Sequence, residues 1–121
     1  MAALSILAFD GILVVALPKA IDDRTMDRLA EEVGNRLVEL AASAVLIDVS
    51  LAQIIDSFLG RVLAGLAATS RLLGAEVVLV GVRPEVAITM VELGLDLGNI
   101  ATALTIEQGL ANIRARLGGS S

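Results

Sequence analysis

The spacing of hydrophobic residues changes several times along this chain, and each change marks a new element. Leu4 to Phe9 and Ile12 to Leu17 are short apolar runs separated only by Asp10-Gly11. That dipeptide accepts the positive φ angles of a two-residue turn, so the pair predicts an opening β-hairpin. Pro18 ends the second strand. From Asp22 the spacing becomes three and four: Met26, Leu29, Ala30, Val33, Leu37 and Leu40 form the inner face of an amphipathic helix, with Asp27, Arg28, Glu31, Glu32 and Arg36 on the solvent side. Asp22 and Asp23 lie in its first turn, where the helix dipole favours negative charge.

Ala44 to Val49 and the run AEVVLVGV from Ala75 to Val82 are rich in β-branched residues and flanked by helical patterns, the alternation expected of parallel strands joined by crossover helices. Between them, Ser57 to Leu73 predicts a helix with Phe58, Leu59, Val62, Leu66 and Leu73 on its core stripe and Gly74 as a left-handed stop. Gly60 and Gly65 inside that helix each cost about 1 kcal/mol relative to alanine, and close approach of a neighbouring backbone is the expected reason. Pro84 opens a third helix through Val86, Ala87, Met90 and Val91 to Gly94, and Ile100 to Leu104 predicts a short edge strand. Thr105 with Gln108 is a capping box for a last helix, whose Leu110, Ile113 and Leu117 face inward while Arg114 and Arg116 sit near its negative end. The reading is a single α/β domain over residues 1–117, a mixed sheet opening with a hairpin and about four helices mainly on one face, followed by a flexible tail at 118–121.

Composition narrows the function. The chain has 121 residues, enough for one domain with a real core. Its longest uncharged stretch, Leu97 to Ile106, falls far short of the roughly 20 apolar residues of a bilayer span. The opening MAALSILAFDG has no basic leader, so the expected location is cytoplasmic, with no membrane partner. Nine basic against fourteen acidic residues, with no tyrosine or tryptophan for base stacking, disfavour nucleic acid. Without cysteine or histidine there is no disulfide, no thiolate and no imidazole base or ligand; neither a metal nor a cofactor is expected, and most hydrolytic triads are impossible. A hydrophobic fraction of 56% and a mean hydropathy of +0.84 exceed what one small core hides, so an oligomer or a larger assembly is expected.

The stretch AVLIDVSLAQIIDSF, Ala44 to Phe58, carries the strongest candidate chemistry. It runs from a buried-type strand through a short loop to Asp56-Ser57 at a helix start. Unpaired backbone N–H groups and the positive end of the helix dipole would stabilise a phosphate on Ser57, although a serine there also serves simply as a cap. Asp48 ends a parallel strand, where α/β sheets place ligands and where receiver domains accept phosphate. A receiver also needs a second acidic cluster after its first strand and a lysine after its last. Here the first strand leads into Asp10-Gly11 and Lys19 is the only lysine, so Asp48 is read as fixing the loop through backbone hydrogen bonds. Asp22-Asp23 and Glu31-Glu32 read as solvated charge, and no glycine-rich phosphate cradle occurs.

Three segments together resemble the STAS domains, and among them the small bacterial antagonists of the stressosome: VLIDVSLAQIIDSFLGRVL, LLGAEVVLVGVRPEVAITMVELG and TALTIEQGLANI. The IDSF element followed by GAEVVLVGVRPEVA is the most specific part. The resemblance implies a phosphorylated serine at the start of the second helix, which matches Ser57, with Asp48 and Asp56 matching the acidic residues that flank it. It further implies a non-enzymatic protein that joins co-antagonist STAS proteins in a large assembly, holds a serine/threonine switch kinase, releases it on phosphorylation and is reset by a phosphatase. No sensory module is expected before the domain, so the resemblance is to the antagonist and not to the co-antagonist. Alternatives are a sporulation-type anti-anti-sigma factor that binds an anti-sigma kinase, and a small-ligand-binding α/β domain using Asp48.

Overall fold

The computed structural model describes residues 5–19, 22–52, 57–94 and 100–118. Nine elements follow in the order β1 (Ser5–Phe9), β2 (Ile12–Ala16), α1 (Asp23–Leu40), β3 (Ala44–Asp48), α2 (Ser57–Leu72), β4 (Glu76–Val80), α3 (Pro84–Glu92), β5 (Ala101–Ala103) and α4 (Ile106–Gly118). The five strands form one sheet in sequence order, β1-β2-β3-β4-β5. β1 pairs antiparallel with β2, and every later pair is parallel. The hairpin turns on Asp10 and Gly11, with φ of 52° and 75°, which is the mirror-image turn that suits the twist of the flanking strands.

This topology decides where the helices go. Three successive right-handed crossovers stepping in one direction place α1, α2 and α3 on the same face of the sheet. There Leu13, Val15, Val45, Ile47, Val77 and Leu79 meet Met26, Leu29, Val33 and Leu37 of α1, Leu59, Leu63 and Leu66 of α2, and Val86 and Met90 of α3. α4 follows the last strand, belongs to no crossover, and covers the opposite face. Its Ile113 is fully buried in a second cluster with Ile12, Val14, Ala44, Leu46, Val78 and Val80. Gly109 lets it lie close: a Cβ there would stand 2.8 Å from Leu46 Cδ1 and 2.9 Å from Val80 Cγ2.

The helix ends show where periodicity outran the core. Leu40, Leu73 and Leu117, all expected to face inward, are 49%, 46% and 44% exposed. Each lies at or just beyond the last turn of its helix, past the sheet that its stripe covers. α1 stops at Ala41, which adopts a left-handed φ of 49° and donates its N–H to the Leu37 and Val38 carbonyls. Gly65 is also not explained by packing, because nothing lies within 4 Å of a Cβ built there; Gly60 is buried.

At the other end of α1, Asp22 is the cap, its Oδ1 accepting the Thr25 backbone N–H at 2.7 Å. Hydrogen bonding from Thr25 holds this carboxyl below the ordinary aspartate value. A depressed folded-state pKa means that the contribution to stability is present above the unfolded value and is lost as pH falls through the folded one. In an NMR titration of carboxyl carbons, Asp22 is expected to titrate at lower pH than aspartate in an unstructured peptide. A midpoint at or above the peptide value would contradict the cap. α4 opens as its motif predicts, with Thr105 Oγ1 accepting the Gln108 N–H at 3.1 Å, but the Gln108 side chain accepts the N–H of Leu104, at 3.2 Å, in place of that of Thr105.

Candidate functional site

The parallel strands present their C-terminal ends on one edge of the sheet, and the chain leaving β3 through Val49 to Ala52 lies at that edge. β3 is held on both sides as it leaves the sheet. The Leu17 N–H donates to the Asp48 carbonyl at 3.0 Å, and the Val49 N–H donates to the Val80 carbonyl at 2.9 Å. Asp48 is half-buried and turns its carboxylate back on the chain, Oδ1 accepting the Ser50 N–H at 2.9 Å. Such an Asx turn redirects a chain without a helix or strand. The turn continues with the Ala52 N–H donating to the Val49 carbonyl at 3.0 Å and with Ala52 buried, while Leu51 points outward at 56% exposure. Asp56 lies outside the described residues, and α2 opens at Ser57.

Two residues from the β4 side complete this edge, and sequence reasoning assigned neither to the site. Gly81 follows β4 with φ of +74°, and a Cβ on it would stand 2.6 Å from Ser50 Cβ and 3.1 Å from Ser50 Cα. Only a glycine therefore accommodates both the backbone angle and the close approach of the loop. Arg83, half-buried, donates its Nε to the Ser50 carbonyl at 3.2 Å, bridging 33 residues of sequence. Ser50 is thus held at its N–H by Asp48, at its carbonyl by Arg83, and against Gly81. The available signal was the run GVRP directly after a parallel strand, since the loops that meet at this edge come from adjacent strands.

The arrangement is a braced platform. The carboxylate of Asp48 and the guanidinium of Arg83 both spend hydrogen bonds on backbone, and α2 opens at Ser57 with the positive end of its dipole. Among the described residues, no group of three acidic, histidine or cysteine side chains could hold a metal ion. No helix among them is long and apolar enough to cross a membrane.

Comparison with known proteins agrees with this geometry. The family model for the STAS domain matches residues 3–109. RsbT co-antagonist protein RsbRA of Bacillus subtilis (strain 168) is 33% identical over 102 residues, which is 84% of this chain and 37% of that protein. The chain therefore spans little more than a third of that curated relative's length. Among solved structures, Moorella thermoacetica RsbS carrying a serine-to-glutamate substitution superposes with a TM-score of 0.88 at 34% identity, covering 96% of this chain and 98% of the other. A chain from the molecular architecture of the stressosome, a signal integration and transduction hub, gives a TM-score of 0.84 at 36% identity, covering 93% and 98%. A family model spanning most of the chain, a relative above 30% identity over most of its residues, and a five-stranded mixed sheet with four helices lead to one conclusion: the chain belongs to the STAS domain family.

Proposed function

We propose that this chain is a non-catalytic stressosome antagonist that holds a serine/threonine switch kinase and lets it go when Ser57 is phosphorylated. In this reading it assembles with co-antagonist STAS proteins, and a phosphatase resets the site. The observation that carries the reading is the braced loop from Asp48 to Ala52 leading to a helix that opens at Ser57, in a chain 34% identical to RsbS over nearly the full length of both. A phosphate adds a charge of roughly -1.5 to -2 and three acceptor oxygens. At Ser57 it would meet the positive end of the α2 dipole and so be tolerated by the fold, while changing the surface that a partner sees. The fold would not need to rearrange; only the charge presented at that edge would change. Asp48 acts in this scheme by fixing the loop, and Asp56 adds to the negative charge beside the serine. The lack of histidine and cysteine supports a binding role over a catalytic one.

The test combines mass spectrometry with capture. Incubation with ATP and the switch kinase encoded in the same genome is expected to add one phosphate, on Ser57. In a pull-down, Ser57→Asp is expected to retain at least about tenfold less kinase than wild type, the size of effect that about 1.4 kcal/mol produces. Ser57→Ala is expected to keep the kinase bound after ATP is added. Equal capture by wild type and both variants, or a phosphate elsewhere, would overturn the switch.

A further inference from the structure

The exposed face of α2 carries an inference that rests on the phosphorylation reading and deepens it. Leu59, Leu63, Leu66 and Ala67 turn to the core, while Arg61, Gly65, Ala68 and Leu72 are exposed. Counted back from Leu72, this solvent stripe runs through positions 68, 65 and 61 in steps of four and three. The next step of four reaches position 57, where the helix opens. Positions 57 and 61 therefore stand one turn apart on a single face of α2, at the spacing that sets Cβ atoms about 5–6 Å apart.

Arg61 is a cation without a local counter-charge. The arginines of α1 have carboxylates three or four positions away: Asp27 from Arg24, Glu31 and Glu32 from Arg28, and Glu32 from Arg36, whose Nη2 lies 3.5 Å from the Glu32 Oε1. α2 contains no acidic residue from Ser57 to Leu72. Among the described residues, Arg61 makes no hydrogen bond and no ion pair. The charged groups of the platform are committed to the Ser50 backbone, Asp48 to its N–H and Arg83 to its carbonyl.

Helix geometry also sets a direction. A helical side chain leans toward the N-terminus and covers the turn before its own Cα, so Arg61 is directed over the turn that begins at Ser57. An anion four positions before a cation is the better order of the two, because both charges then suit the helix dipole. A guanidinium presents its donors as a planar fork that matches two phosphate oxygens at once, and such charge-assisted pairs are the stronger hydrogen bonds.

We propose that Arg61 holds the phosphate of phosphorylated Ser57, so that a single modification both adds an anion to this face and withdraws a cation from it. Before phosphorylation a partner meets a free guanidinium on α2; afterwards it meets a paired one beside a phosphate. The pairing favours the doubly charged phosphate and so lowers its second ionisation. The test uses the full chain with phosphoserine installed at position 57 during translation, which makes it independent of the kinase. In phosphorus NMR titrations, Arg61→Gln is expected to raise the midpoint of that ionisation by at least about 0.3 pH units, a twofold change in proton affinity. Arg61→Lys, which keeps the charge, is expected to retain at least half of the difference. Arg114→Gln removes the same charge from an exposed position on α4, and its midpoint is expected to match that of the unsubstituted chain. Equal midpoints with and without Arg61→Gln, a matching rise in Arg114→Gln, or an Arg61→Lys indistinguishable from Arg61→Gln would overturn the proposal. Failure of the kinase to modify Ser57 is a separate result, which overturns the switch and not the pairing.

Discussion

Ile113→Ala is expected to lower the unfolding free energy by about 3 kcal/mol, within the usual range for truncating a fully buried isoleucine. Ile113 is the only fully buried large side chain that α4 contributes among the described residues, and it closes the cluster formed by Ile12, Val14, Ala44, Leu46, Val78 and Val80. The remaining ties of α4 to the sheet are weaker. Leu110 is half-buried, and Arg116 reaches Glu76 at 3.4 Å in an ion pair whose members are both exposed, a kind that contributes at most about 1 kcal/mol. Unlike α1 and α2, α4 has no second helix beside it on its face among the described residues to take up the slack. The variant should therefore loosen α4 ahead of the rest of the domain. Hydrogen exchange is expected to speed up in Ile106–Gly118 and across the face of β3 and β4, with little change in α1. Chemical denaturation measures the size of the loss. An unfolding free energy within about 0.5 kcal/mol of wild type, the scatter of neutral surface substitutions, would mean that α4 is not anchored there.

Gly81→Ala is expected to cost about 3 kcal/mol from two sources that act together. A left-handed φ disfavours any side chain by about 1–2 kcal/mol, and overpacking commonly costs 1–3 kcal/mol. Here the added methyl would stand 2.6 Å from Ser50 Cβ, next to backbone at 3.1 Å and 3.3 Å, so no flexible side-chain tip can yield to it. The relief available is to move the loop, which breaks either the Asp48–Ser50 or the Arg83–Ser50 hydrogen bond. Amide shifts at Ser50 and Ala52 should accordingly move more than those of β3 itself. If the platform positions Ser57, phosphorylation of this variant should also slow under conditions in which it is still folded. Unchanged stability together with unchanged Ser50 shifts would show that the loop is not braced against Gly81.

What could be read from the chain and what could not divide along a physical line. Hairpin, helices and strands were legible because each rests on a repeat that neighbouring residues carry among themselves: the Asp10-Gly11 turn, the three-and-four spacing from Met26 to Leu37, and the Thr105-Gln108 box. Ser57 at a helix start and Asp48 at a strand end were legible for the same reason, since both are defined by element boundaries. Arg83 and Gly81 were not, because their role exists only once β3 and β4 lie side by side and bring residues some 30 positions away against Ser50. The limits of burial were likewise hidden. Leu40, Leu73 and Leu117 continue their helical stripes faithfully, but whether a stripe residue is covered depends on how far the sheet extends beneath it. The sequence by itself determined the elements, the absence of histidine and cysteine chemistry, and the candidate serine. The order of the strands, the placement of α4 on the opposite face and the brace around Ser50 were decided only by tertiary structure, because each depends on contacts between segments that no local pattern records.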